Sequence, residues 1–243
     1  MILPLIYGLI ACLASLGGSL LAVRGAANER LLNRLTALSG GMLLSSAFLR
    51  ILPEALHLNR TSATISLLFF FLFFYALEDF MMIHSCPEYT HHCPSHIMGN
   101  LAFFGLSLHS LVDGIAVGST FRFSPSLGLV ASLAVIFHKS GDGLALSSLL
   151  LSAGTGKRKV ILASLAIAFA TLLGAVLSYS LTGARPSPVL LASLLGISAG
   201  SFIYISTSDL LPELHRERDF SLFAFLLLGM LFIIGLTFLF PAD

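Results

Sequence analysis

Charge is scarce in this sequence. Only 10% of its 243 residues are Asp, Glu, Lys or Arg, against 56% that are hydrophobic, and the mean hydropathy is +0.95. A soluble domain of this size carries roughly a quarter charged residues, so the composition reads as one polytopic transmembrane domain over 1–243. Thirteen basic and twelve acidic residues leave a net charge of +1, which gives no support for a nucleic-acid partner. No basic n-region precedes the apolar stretch from Met1 to Val23, so it reads as a retained span and not as a cleaved signal peptide. Cysteine is sparse too, at three residues. Cys12 falls in an apolar run and reads as packing. Cys86 and Cys93 share a short polar loop with four histidines, where metal contact and a disulfide are both open. The H-E-x-x-H signature of a zinc hydrolase is missing.

What the chain does have is long apolar runs. A span needs about 20 such residues, and the stretches 2–23, 31–52, 63–83, 99–121, 127–152, 159–181, 187–211 and 220–240 qualify. The expected fold is an all-α membrane protein of eight transmembrane helices, joined by short breaks such as Arg24-Gly25, Asn59-Arg60, Ser124-Pro125 and Arg185-Pro186. The odd-numbered loops carry Arg24, Arg30, Arg34, Lys157, Arg158, Lys159, Arg216 and Arg218. The even-numbered ones carry only Arg50, Arg60, Arg122 and Arg185. Short loops rich in Lys and Arg stay in the cytosol, so both termini are expected on the non-cytosolic side.

Two distant segments echo each other. Span 2 runs from Gly40-Gly-Met into Leu52-Pro53-Glu54-Ala-Leu-His57, and span 7 runs from Gly200-Ser-Phe into Leu211-Pro212-Glu213-Leu-His215. Both read as small-residue-rich helices that end at Leu-Pro-Glu. An even and an odd span cross in opposite senses, so the echo predicts an inverted repeat of helices 1–3 and 6–8 around helices 4 and 5. Transporters are often built this way, with the substrate site between the repeats.

The chemistry lies between those repeats. His109-Ser-Leu-Val-Asp113-Gly-Ile-Ala and His138-Lys-Ser-Gly-Asp142-Gly-Leu-Ala repeat one pattern, H-x-x-x-D-G-x-A, in two adjacent apolar stretches. Residues i and i+4 share a helix face, so each stretch offers an imidazole and a carboxylate together. Ionisable groups inside a membrane helix are costly and face a partner, cavity or pathway. Two such pairs at similar depth could supply four ligands to one divalent metal. Two imidazoles and two carboxylates suit zinc, without the tight hold of a four-thiolate set, which fits an ion that must leave again. The bland alternative is that these residues only pair with one another to hold helices together, with Lys139 and Asp142 as one ion pair.

On these motifs the sequence resembles the ZIP (Zrt-, Irt-like protein) family of divalent metal transporters. His109-Ser110-Leu-Val-Asp113-Gly114 matches the family's helix 4 pattern, and His138-Lys139 with Asp142 matches its helix 5 pattern. The resemblance implies eight helices and movement of Zn2+, or a similar divalent ion, toward the cytosol by alternating access. It implies His109, Asp113, His138 and Asp142 as the primary transport ligands, Met42 as a thioether contact and Asp209 with Glu213 as exit-route acids. The metal is then substrate, no cofactor is expected, the bilayer is the surrounding partner, and a homodimer is a compatible assembly. The host membrane would be the plasma membrane or that of an organelle.

The departures matter as much. Family members with two adjacent metals carry Asn, an acid and Glu where this chain has Ser110, Lys139 and Thr171. The expectation is therefore one metal, with the Lys139 ammonium in place of a second cation. His84, Cys86, His91, His92, Cys93 and His96 crowd the 84–98 loop, a metal-binding composition. The resemblance makes it a mobile acceptor or sensor on the cytosolic side, and adventitious binding is the alternative. Glu54 and His57 form an outer funnel or simply end a helix. The rival functions are an intramembrane zinc-dependent hydrolase using Ser110 or a metal-bound water, and a haem protein ligated by His109 and His138.

Overall fold

The computed structural model describes residues 2–85, 93–123, 125–181, 187–212 and 219–239, and regular structure among them is entirely helical. Helix α1 spans Ile2–Gly25 and α2 Glu29–Ser46, continued by a π-helical turn at Ala47–Ile51. Next come α3 (Leu52–Ser85), α4 (Cys93–Phe123), α5 (Pro125–Ser152) and α6 (Lys157–Leu181). Helix α7 is Pro188–Tyr204, continued by a second π turn at Ile205–Leu210, and α8 is Phe220–Leu239. Six stretches among the described residues are long and apolar enough to cross a membrane: Ile2–Gly25, Glu29–Phe80, Gly99–Phe121, Lys157–Ser178, Pro188–Ser208 and Phe220–Leu239. The protein is an all-α, multi-pass integral membrane protein.

Local chemistry explains the boundaries. Asn28 caps α2 through its side chain, which accepts from the Leu31 N–H, and Ser187 caps α7 the same way at Leu190. Such a cap contributes about 1 kcal/mol. Gly154 closes α5 with φ of 75°, a left-handed conformation that glycine enters without a steric cost. Its N–H donates to Leu151 and that of Thr155 to Leu150, each at 2.9 Å, the paired bonds that satisfy the last carbonyls of a helix.

Pro53 does not end its helix. The chain stays helical through it and departs only at Asn59 (φ −161°, ψ 103°), whose side chain accepts from Ser62 N at 2.9 Å and so caps the helical segment beyond it. The reading of Leu-Pro-Glu as a helix end is corrected at this first copy. A proline ring clashes with the carbonyl four residues earlier and supplies no N–H. The π turn just before Pro53 widens the helix where that clash would fall, and the second π turn occupies the same place before Pro212.

The exterior is apolar, unlike that of a protein in water, and the largely apolar interior also holds polar groups. Leu9, Phe69, Phe169 and Leu231 are exposed, whereas Ser39, His109, Ser110, Lys139, Asp142 and Ser147 are buried. Among helices surrounded by lipid, close approach at small residues replaces hydrophobic burial as the packing device. A methyl group at Gly143 would sit 1.9 Å from the Ser15 carbonyl oxygen, so α1 and α5 touch backbone to backbone. At Gly114 it would sit 2.0 Å from the Thr171 carbonyl oxygen, which clamps α4 to α6. Similar crossings join α2 to α8 at Gly41 and Gly229, and α3 to α7 at Gly196 and Gly200.

Candidate metal site

α4 and α5 pack against each other and carry the two H-x-x-x-D pairs in facing positions. The local reason is helical phase: His109 and Asp113 lie one turn apart, as do His138 and Asp142. One ligand atom from each of His109, Asp113, His138 and Asp142 lies within 4.8 Å of all the others. Asp113 Oδ2 stands at the centre, 3.0 Å from His109 Nε2 and 3.0 Å from His138 Nε2. Asp142 Oδ2 is 3.8 Å from His109 Nε2. His109 and Asp142 are each 1% exposed, so the cluster is closed off from its surroundings on that side. The side of His138, 12% exposed at its side chain, is where the cluster is more open.

Lys139 completes the set. It is fully buried, and its Nζ donates to Asp142 Oδ2 at 2.7 Å, to Asp113 Oδ2 at 2.8 Å and to Ser110 Oγ at 2.9 Å. The sequence placed Lys139 beside Asp142, three residues on; its equal grip on Asp113 of the neighbouring helix was not foreseen. With neutral imidazoles the cluster carries two negative charges and one positive. One divalent ion would leave a single positive charge, whereas two would leave three in a buried site, and uncompensated buried charge is costly.

The imidazole of His109 is left wanting. Among the described residues neither ring nitrogen has an aligned hydrogen-bond partner, although Nε2 lies 3.0 Å from Asp113 Oδ2. Buried polar groups are normally satisfied, and a cation accepting the Nε2 lone pair would satisfy this one. The ring is instead held by packing, with its centroid 4.1 Å from that of Phe202 on α7 and 5.5 Å from that of His138. Phe202 is fully buried, and sequence reasoning missed it. Nothing in the sequence around it marks a contact with α4.

The remaining predicted residues are placed unequally. Met42 of α2 is buried against α5: a methyl at Gly141, next to Asp142, would lie 2.8 Å from its Cε and 3.4 Å from its Sδ. Thr171 of α6 reaches the far side of Gly114, and its buried hydroxyl has no partner among the described residues. Asp209 falls in the second π turn, and its side chain lies outside the described residues, as does Glu213. The His/Cys-rich loop lies outside them over 86–92, and so do the side chains of 81–98.

A family model described as ZIP Zinc transporter matches residues 84–237, more than half of the chain and all four clustered residues. The chain belongs to the ZIP family. Within it, the sequence is 30% identical over 232 residues to the zinc transporter ZupT of Escherichia coli O7:K1, covering 90% of this chain and 89% of that one. The same identity and coverage relate it to ZupT of the E. coli K12 strain DH10B. It is 33% identical to the human zinc transporter ZIP4 over 115 residues, which are 47% of this chain and 17% of that larger protein.

Proposed function

We propose that this ZIP-family chain transports Zn2+, or a divalent ion of similar chemistry, toward the cytosol through His109, Asp113, His138 and Asp142. One observation carries the reading: two imidazoles and two carboxylates from two helices converge within 4.8 Å in a buried setting. That donor set binds zinc while remaining escapable. The relatives' names point to the same ion. Transport fits the site better than hydrolysis does. The hydroxyl beside the cluster, Ser110 Oγ, accepts from the Lys139 ammonium, which withdraws electron density from a would-be nucleophile.

The finer reading runs along the same lines. Glu29–Phe80, 52 residues and about 78 Å if straight, is read as two crossings divided at Asn59. Pro125–Ser152 is read as another, which makes eight. The inverted repeat is supported by the two π turns before Leu-Pro-Glu. It is supported also by the glycine crossings, since exchanging helices 1–3 for 6–8 and 4 for 5 turns α1·α5 into α6·α4 and α2·α8 into α7·α3. The bias of Lys and Arg sets both termini outside the cytosol. Met42 joins the ion as a soft contact, Asp209 lies on the exit route, the 84–98 loop receives metal in the cytosol, and Lys139 limits the site to one ion.

Metal-dependent uptake by proteoliposomes tests the proposal. Vesicles holding the protein accumulate Zn2+, and vesicles holding Asp113→Ala at equal reconstitution do not. Equal uptake by the two overturns the site, and no uptake by either overturns transport.

A further inference from the structure

The turn from α5 into α6 builds a surface unconnected with the metal cluster. Gly156 accepts the N–H groups of Lys159 at 2.9 Å and Val160 at 3.2 Å, so α6 starts from a residue with no side chain to cap it. Asn28 and Ser187 cap α2 and α7; here Lys157, Arg158 and Lys159 come at once, all three exposed. Between Asp142 and Asp209 the sequence contains no acidic residue, so nothing on α6 or the turns flanking it neutralises them. They form one end of a cavity of about 990 Å3 between α4 and α6. Asn100 and Thr155 also line it, and the remainder is mostly apolar: Phe103 of α4, Leu150 of α5, and Leu162 with Ala166, one turn apart on α6. Leu162 is 56% exposed on a helix that spans a membrane, so this wall is open to lipid.

We infer that this cavity binds an anionic phospholipid of the leaflet that meets the α5–α6 turn. Its phosphate would lie among Lys157, Arg158, Lys159 and the uncapped N–H groups of α6, and an acyl chain would run along Leu162 and Ala166. Charge complementarity selects the occupant. A neutral lipid fills the apolar wall and leaves three cations unmatched, and a free phosphate matches the cations and leaves the wall bare. Basic pockets between membrane helices at the interface recognise anionic headgroups in this way, and a helix N-terminus adds its dipole and N–H donors.

The test is native mass spectrometry of the whole protein released from nanodiscs of equal parts phosphatidylglycerol and phosphatidylcholine. Wild type should retain phosphatidylglycerol in preference. Joint neutralisation by Lys157→Gln, Arg158→Gln and Lys159→Gln should lower that retention at least about tenfold. Because those charges also help set insertion, Ala166→Trp serves as the second variant, since it fills the acyl slot with every charge kept and should lower retention similarly. Equal retention of the two lipids by wild type, or wild-type retention by Ala166→Trp, overturns the inference. So does displacement of the lipid by millimolar inorganic phosphate alone, which would mark a simple anion site.

Discussion

Among the described residues, the serine cluster and the His/Asp cluster of the interior are finished differently. At the crossing of α1, α5 and α6, Ser147 donates to Ser19 at 2.7 Å, Ser19 to Ser164 at 2.8 Å, and Ser164 to the Val160 carbonyl at 3.0 Å. Every proton there has an acceptor within the chain, and nothing further is required. At the α4–α5 crossing, His138 and Lys139 hydrogen-bond to one oxygen of Asp113, and His109 Nε2 lies 3.0 Å from the same oxygen without an aligned bond to it. The first cluster is closed and acts as an adhesive between helices. The second turns two imidazoles and two carboxylates toward one point, an arrangement that a divalent cation can bridge. Polarity inside a membrane protein does not by itself mark a site, nor does a lone unpartnered hydroxyl such as that of Ser45 or Ser198; the convergence of metal-ligating groups singles this one out.

The largest effect that tests this contrast comes from the open cluster. His109→Ala or Asp142→Ala should each reduce uptake by at least about 100-fold, since even outer partners of metal ligands are worth 10–100-fold, while membrane insertion and yield stay normal. Normal uptake in both variants at matched expression would erase the distinction. Next comes the number of ions. Wild-type protein should hold one metal at the α4–α5 centre by anomalous scattering, and the combination Lys139→Asp, Ser110→Asn and Thr171→Glu should hold two. Two ions in wild type would show that Lys139 does not stand in for a cation.

A smaller effect is expected from the loop. Replacing His84, Cys86, His91, His92, Cys93 and His96 with Ser should lower uptake by less than about tenfold, because a flanking acceptor that feeds the path changes rate and not the central ligand set; complete loss in a folded variant would make the loop part of the obligatory route. The smallest effect belongs to the closed cluster. Ser147→Ala should cost about 0.6 kcal/mol, the average for such bonds between membrane helices, with the metal affinity unchanged. A shift in metal affinity, measured by titration calorimetry, would mean that the serine chain is coupled to the site.

The convergence of His109, Asp113, His138 and Asp142 was legible because it rests on local rules. The i,i+4 spacing puts His109 over Asp113 and His138 over Asp142 whatever the helices pack against, and the short link at residue 124 makes α4 and α5 neighbours. What escaped is what only packing decides. Lys139 reaches Asp113 because α4 and α5 pack side by side, close enough for a long ammonium side chain on one to touch a carboxylate on the other. Phe202 meets His109 across the boundary between α7 and α4. The passage of the chain through Pro53 was misread because proline's local penalty is real, and the π turn that absorbs it is not encoded as a recognisable motif.

Those π turns have a consequence for how the protein tolerates changes in length. A π turn is one residue more than the α-helix needs, and each residue advances the helix by about 100°. Everything beyond Ile51, Glu54 and His57 included, is therefore rotated by about 100° from where an unbroken α2 would aim it. The same offset applies after Leu210. Removing any one residue between 47 and 51 would restore an ordinary helix and leave composition and hydropathy almost untouched. It would also swing the whole segment beyond it onto a different face and drive Pro53 back into a carbonyl. Length at these two places is thus an angular variable, a dial that fixes which side chains the helix beyond each turn presents to its neighbours.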